Sequence, residues 1–473
     1  MSGTIAMTLS EASMKIVRFL VLPVMTFYLS PRDFGIIASI KMVQGFLILL
    51  YNPGMLSGIT RIYFDTEDEA KRKEYICSGL LFFLIVSISI SSVMVLLGDS
   101  FFKRIFNEFE LYPYGIIAII LSVLIQPKRL WSSLLTFRYK VTKIALYSFI
   151  EMMIDIGISL FLIAVLLWGV DGRIIGMYSG LFFIFVVAML TLLRYIRGHY
   201  SIKTSWKLFV FGLPLAPAIW AYSALEIADR FLIEHFIGLE KLGIYSIGYT
   251  ISSVPLFLSL GFRKMWNPVF YENMNDKQYN RVNVLIKYYA LGMALVTGVL
   301  IMFSQELVTI ALAKSFAGAK EIVPFVCSGI FFLGILPISS SFITFANKFS
   351  RISLNAGISA VVNIVLNLIL LPRIGVVGAA VATLVAYVVY FVLNALSVSG
   401  LFSRVVSIGI LIVPVSFIVV ATTVFYAIGT SLLYFFIKAG IVALFLGVII
   451  VSGYLKRDEL LFLKKVVFRL KSS

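Results

Sequence analysis

Charge is what this sequence has least of. Asp, Glu, Lys and Arg make up 13% of its 473 residues, hydrophobic residues 60%, and mean hydropathy is +1.02. A soluble domain needs a polar surface, so this balance excludes one. Histidine is nearly absent: His199 and His235 are the two, and neither has a second ligand at zinc spacing. Cysteine is limited to Cys77 and Cys327, each near the start of a separate apolar run, which fits packed helix residues better than a disulfide. There is no GxxxxGK[ST] and no GxSxG, which removes a P-loop ATPase and a nucleophile elbow. Long polar loops are missing too, so no separate catalytic domain is hidden between the apolar runs.

Apolar runs are what the chain has in abundance. A bilayer core takes about 20 apolar residues per helix. Candidate spans cover 7–28, 34–59, 75–98, 112–135, 143–168, 174–193, 207–235, 243–269, 284–304, 322–346, 352–371, 375–397, 405–427 and 431–454. The first carries Glu11, Lys15 and Arg18 and no small-residue cleavage site, so it reads as a retained span and not a signal peptide. After the last span, KRDELLFLKKVVFRLKSS alternates apolar and basic residues at helical spacing, a pattern suited to an anionic leaflet.

The net charge is +17. Sorted by loop, 22 cations, among them Lys71, Lys203 and Arg281, fall on one set of alternate loops and the tail. The other set holds 8: Arg32, Lys103, Arg104, Arg173, Lys241, Lys314, Lys320 and Arg373. The positive-inside rule places both termini in the cytoplasm. Topogenic charge thus accounts for the basic balance without nucleic acid. A reporter fused at residue 203 is expected on the cytoplasmic side and one at Lys314 on the opposite side. A reporter at 203 found outside overturns this topology.

The chain also repeats. RDFGIIASI at 32–40 follows the first span, and EKLGIYSIG at 240–248 follows the seventh. Six spans separate them, so both copies share one orientation. That is a parallel repeat about the membrane normal, with a cavity expected between the halves. A generic helix–Gly–helix turn is the competing reading. PRIGVVGAA at 372–380 echoes the pattern a third time.

Three stretches resemble one family. ADRFLIEHFIGLEKLGIYSIGYTISSVP at 228–255, YLSPRDFGIIASI at 28–40 and NLILLPRIGVVGAAVATLVAYVV at 367–389 are similar to patterns of bacterial polysaccharide-export flippases. These are the Wzx-type O-antigen flippases of the multidrug/oligosaccharidyl-lipid/polysaccharide (MOP) superfamily. The resemblance implies an all-α integral membrane fold of about 14 transmembrane helices, with two pseudo-symmetric six-helix lobes and two extra helices. The lobes would be residues 1–200 and 201–400, the extra helices 401–455, and the cytoplasmic amphipathic tail 456–473. It implies a transporter without a catalytic site or cofactor, in the bacterial inner membrane. The substrate would be a polyprenyl-diphosphate-linked oligosaccharide moved by alternating access, with H+ or Na+ coupling open. Membrane lipids, a glycan polymerase and other assembly proteins are the implied partners. A multidrug cation antiporter on the same scaffold and a membrane-embedded glycan polymerase are the alternatives.

Charges inside spans are costly, about 2.5–3.5 kcal/mol each on insertion scales, so they face partners or a wet cavity. Glu11, Lys15 and Arg18 share one helical face. Lys15 and Arg18 suit a diphosphate headgroup, since Arg presents forked donors to phosphate oxygens; a buried structural ion network is the other reading. Arg230 joins them as a headgroup candidate. Glu151 and Asp155, also on one face, are candidates for ion coupling or for pairing with Lys15 or Arg18. Glu226 and Asp229 are further coupling candidates, with an intrahelical pair to Arg230 or an inter-helix clasp as options. Lys128, Arg129, Arg263, Lys264 and Lys287 near one interface read as snorkelling groups, and Lys41, Arg230 and Lys438 near the other either snorkel or face inward. Pro214 and Pro217 interrupt the seventh span and mark a hinge.

Overall fold

The computed structural model describes residues 2–196, 200–407, 409–456, 458, 459 and 461, and their side chains except those of 2–12, 15, 196 and 264. The side chains of Glu11, Lys15 and Lys264, and most of the basic tail, lie outside the described residues. Every regular element among the described residues is helical. Twelve helices, single or joined end to end, are long and apolar enough to cross a bilayer, and a bent pair adds a thirteenth. These counts are of the described residues, in which the apolar part of the first helix, Ile16–Tyr28, is shorter than a full span.

The chain divides into two compact units. One comprises residues 2–246 and 367–376. It holds α1 (Ser2–Tyr28), α2 (Pro31–Tyr51), α3 (Met55–Phe64), α4 (Glu69–Ile105), α5 (Ile116–Phe137), α6 (Val141–Leu160), α7 (Gly169–Ile196), α8 (Ile202–Gly212), α9 (Ala216–Phe236) and the start of α10 (Leu239–Ser252). Local chemistry sets its breaks. Asn52-Pro53-Gly54 separates α2 from α3, with Gly54 at φ +83, a region L side chains disfavour. A turn of 3-10 helix, Leu213–Leu215, joins α8 to α9 where Pro214 and Pro217 fall. Gly98 (φ 70, ψ −170) kinks α4, redirecting its final turns with Asp99, Lys103 and Arg104.

The other unit comprises residues 247–366 and 377–473. Its elements are α11 (Leu256–Asn275), α12 (Tyr279–Ala311), α13 (Val323–Phe345), most of α14 (Phe349–Ile374), α15 (Val376–Ser397), α16 (Ser399–Val405), α17 (Gly409–Ala427) and α18 (Leu432–Val451). Helices α10 and α11 form the bent pair, at 49° across Ser253–Pro255, a break the sequence reading did not place. Helix α13 is apolar all round and buried on nearly every side, as a central helix should be. Buried Trp266 and Phe270 of α11 pack against it, Phe270 edge-on to the Phe342 ring of α13 at 5.0 Å.

Two lysines that were candidates to snorkel are internal to this unit. Lys438 has no exposed side-chain surface and pairs with Glu306 at 2.7 Å. Lys287 pairs with Glu459 at 2.7 Å and stands over the Tyr454 ring. A paired charge is cheaper to keep in an apolar core than a lone one, and in each case the partner lies too far along the sequence to be read from spacing.

Candidate functional site

The site begins where α6 and α7 meet. Helix α7 opens Gly172-x-x-x-Gly176-x-x-x-Gly180, a small-residue stripe that lets helices approach closely. A Cβ on Gly176 would lie 2.0 Å from the Ser159 hydroxyl, and one on Gly180 would lie 2.8 Å from the Glu151 carbonyl. This approach sets Arg173 against Asp155 as an ion pair, with the guanidinium also donating to Ser159 Oγ at 2.7 Å. One turn away, Lys128 of α5 reaches both carboxylate oxygens of Glu151 at 2.6 and 2.7 Å.

The partners correct two expectations. Glu151 and Asp155 pair with Lys128 and Arg173, not with Arg18; the Lys15 side chain lies outside the described residues. Lys128 does not snorkel, and Arg173 is not a free loop cation. Both pairs are mostly buried. Removing one member of such a pair strands a charge, whereas removing both does not. Arg173→Met is therefore expected to lower unfolding stability by about 3 kcal/mol, and Asp155→Leu/Arg173→Met to recover most of it. Thermal unfolding in detergent measures both; equal stability of the two variants contradicts a buried pair.

Beside the Asp155–Arg173 pair stands Lys41 of α2. It is solvent-accessible yet deep among protein atoms, as befits a group lining an internal cleft. Arg18 of α1, Arg173 of α7, Arg230 of α9 and Asp155 of α6 all lie within its electrostatic reach. Three arginines and one carboxylate, from four helices, thus lie within electrostatic reach of one lysine. Arg18 is exposed and Arg230 partly so. Arg230 also donates to the Glu226 backbone carbonyl, and Glu226 is within hydrogen-bonding reach of Tyr222. Asp229, buried, accepts from the Tyr245 hydroxyl of α10, which is the inter-helix clasp option.

The same two helices present an apolar face on their other side. Phe46 and Leu50 of α2, Trp220 and Phe231 of α9, and Met94 and Phe106 around α4 line a cavity of about 810 Å³. A Cβ on Gly45 of α2 would lie 3.0 Å from the Ile227 side chain of α9, so the two helices run close there.

At the cation-poor end, the two repeated turns meet each other. A Cβ on Gly35 would lie 2.0 Å from the Leu239 carbonyl oxygen, and a Cβ on Gly243 would lie 1.8 Å from that of Pro31. Pro31 corresponds to Leu239, and Gly35 to Gly243, under the register of the repeat. The contact is therefore reciprocal, each copy's glycine lying on the other's backbone. Ser30 caps α2 in a capping box with Asp33, which fixes the Pro31 end. Alongside, the Glu234 carboxylate of α9 accepts three consecutive backbone N–H groups, from Asn107, Glu108 and Phe109, at 2.8–3.0 Å. His235 Nδ1 donates to the Ile105 carbonyl at 2.8 Å, and Arg32 pairs with Glu108 at 3.3 Å.

Sequence reasoning singled out Arg18, Arg230, Glu151, Asp155, Glu226 and Asp229, and the structure places Arg18, Arg230 and Asp155 within electrostatic reach of Lys41. It left out Lys41, Arg173 and Glu234. The glycine stripe of α7 was the available signal for Arg173, since it predicts a close helix pair with residue 173 facing α6. Nothing local marks Glu234, whose partners are more than 120 residues away.

This architecture is that of a multi-pass helical membrane protein. The solved structure "Lipid II flippase MurJ, inward closed conformation" superposes with a TM-score of 0.71, covering 96% of this chain and 99% of that one at 16% identity. An inward-facing MATE multidrug resistance transporter of the MOP superfamily gives 0.65, over 84% and 98%, at 13%. A MOP superfamily transporter from Pyrococcus furiosus, described as having reverse polarity of its binding pocket, gives 0.56, over 84% and 95%, at 14%. The fold is thus the MOP transporter fold. The chain belongs to the polysaccharide biosynthesis protein family, whose profile matches residues 24–321. No curated protein sequence matches it.

Proposed function

We propose that this protein is a flippase that carries a polyprenyl-diphosphate-linked oligosaccharide, an O-antigen or exopolysaccharide repeat unit, across the bacterial inner membrane from cytoplasmic to outer leaflet. The observation that carries this reading is the gathering of Arg18, Arg173 and Arg230 within electrostatic reach of Lys41, which we read as the lining of a cleft. Cations cost free energy at that depth, and a diphosphate offsets the cost. Arg18 and Arg230 supply forked donors, and Lys41 a point charge. Asp155 holds Arg173 in place and keeps the cleft from excess repulsion. The apolar cavity behind α2 and α9 suits the hydrocarbon chain of such a substrate.

Family membership supports a role in polysaccharide assembly, and the fold supports alternating access, with the break at Pro214 and Pro217 as the flexing point. The resting contact at Gly35 and Gly243 closes the side that the loop charges assign to the exterior. Glu226 and Asp229 are the carboxylates we assign to H+ or Na+ coupling, if the cycle is coupled, and Glu151 and Asp155 serve as partners of Lys128 and Arg173. A cation antiporter is disfavoured by the sign of the cleft.

The test is reconstitution. In proteoliposomes carrying a fluorescent polyprenyl-diphosphate oligosaccharide, the protein is expected to expose inner-leaflet label to an external quencher. Depletion in cells is expected to accumulate the same lipid-linked sugar. Efflux of small organic cations without movement of the glycolipid would overturn the assignment.

A further inference from the structure

A second cavity lies at the cation-rich end of the first unit. It measures about 570 Å³ and is walled by the start of α4, the α5–α6 turn, the start of α6 and the end of α7. Five cations line it: Lys73, Arg138, Lys140, Lys143 and Arg194. Glu69 is the one carboxylate among the lining residues, and it pairs with Arg138 at 3.6 Å.

Loop cations of this kind are usually topogenic and solvated. Three features distinguish these. They come from four separate elements and surround a concavity instead of spreading over a surface. The floor is aromatic: Trp131 and Tyr195 are buried there, and the Arg138 guanidinium lies 5.1 Å from the Tyr195 ring centroid. The cavity also runs into lipid-facing surface, since Leu190 of its wall is 61% exposed, and Leu146 and Leu193 beside it are exposed as well. Between Arg138 and Lys140, Tyr139 stands 87% exposed, placed as an interfacial aromatic anchor.

A soluble anion would use the cations and leave the adjoining apolar strip unused. An amphiphile uses both. We propose that this cavity is a binding site for an acidic phospholipid of the cytoplasmic leaflet with two phosphates, a cardiolipin-type lipid. Its phosphates sit among Lys73, Lys140, Lys143 and Arg194, and its chains run down the α6–α7 surface. Basic pockets between transmembrane helices on this side of a membrane take such headgroups. Arg138 is tied to Glu69 and Tyr63 and serves as the fixed wall. The site is separate from the Lys41 cleft and does not depend on the transport assignment.

The experiment is equilibrium binding of a fluorescent cardiolipin to the full-length chain in detergent, with competition by unlabelled lipids. One saturable site is expected, displaced by cardiolipin, at least about tenfold less well by phosphatidylglycerol, and not by phosphatidylcholine or by millimolar pyrophosphate. The triple variant Lys140→Ala, Lys143→Ala, Arg194→Ala should bind about 100-fold more weakly, taking about fivefold per cation near an anionic group. The charge-preserving Lys140→Arg, Lys143→Arg, Arg194→Lys variant should retain affinity, which separates loss of charge from loss of fold. A Lys71→Ala, Lys207→Ala variant, with cations outside the cavity, should bind as wild type. Equal displacement by pyrophosphate makes the cavity a soluble-anion site and overturns the proposal. So does tighter binding of a polyprenyl diphosphate than of cardiolipin, which makes it a vestibule for the transported lipid, or an unchanged triple variant.

Discussion

Gly35→Leu and Gly243→Leu are each expected to abolish translocation at normal membrane levels, by tenfold or more. The added Cβ would lie 2.0 Å from the Leu239 oxygen or 1.8 Å from the Pro31 oxygen. Both obstacles are backbone, and the capping box at Ser30 keeps the second from yielding. The helix ends must therefore separate. Overpacking costs about 1–3 kcal/mol, enough to shift a two-state equilibrium by about 5- to 150-fold. A carrier held open on one side cannot complete its cycle. The two substitutions act on one reciprocal contact, so the double variant should be scarcely worse than either single one. The measurement pairs transport with labelling of Lys241→Cys by a membrane-impermeant thiol reagent, after the buried Cys77 and Cys327 are replaced. Labelling should rise as transport falls. Normal transport with unchanged labelling in both single variants would sink the idea that this contact opens in the cycle.

Neutralising the cleft should have a comparable effect by a different route. Arg18→Ala and Lys41→Ala are each expected to reduce glycolipid translocation by about tenfold or more, the scale of one charge-assisted hydrogen bond to phosphate at about 1.5–3 kcal/mol. Arg18→Lys should recover part, because it restores charge without the forked donor pair. Lys41→Arg should be mild. Residual binding of the glycolipid should weaken more steeply with salt in wild type than in Lys41→Ala. Surface glycan and accumulated lipid-linked oligosaccharide, normalised to protein level, are the readouts. An antiporter for organic cations predicts the reverse, with efflux unchanged or improved. Full export by a stable Arg18→Ala, Lys41→Ala double variant contradicts headgroup binding in this cleft.

Local and periodic signals were readable in the sequence; long-range partners were not. Hydropathy located the spans, because a bilayer demands long apolar runs whatever the tertiary packing. The spacing of Gly35 and Gly243 revealed the repeat. That the two turns would rest on each other could not be read, since equivalence under a repeat does not imply contact. Pro214 and Pro217 marked the α8–α9 break because proline removes a donor wherever it stands. The bend at Ser253–Pro255 carries the same signal and was passed over in a run of high hydropathy. Depth along a helix assigned Arg18 and Asp155 to the membrane interior. The azimuth that gives Asp155 to Arg173, and Lys128 to Glu151, depends on how α5, α6 and α7 rotate on one another. Only the glycine stripe of α7 hints at it. The partner of Lys438 was missed for the same reason: Glu306 lies 132 residues away.

The carboxylate of Glu234 has a consequence for membrane energetics. Water-accessible cations inside a bilayer are stepping stones for anions, and an energised membrane drives each elementary charge with about 2.3 kcal/mol per 100 mV. A transporter with such a lining needs electrical insulation at one mouth while the other admits its cargo. Three backbone N–H groups closed onto a fixed negative charge provide it without a bulky plug. A hydrated anion approaching from that side would meet a carboxylate of its own sign, and the three backbone donors beside it are already occupied.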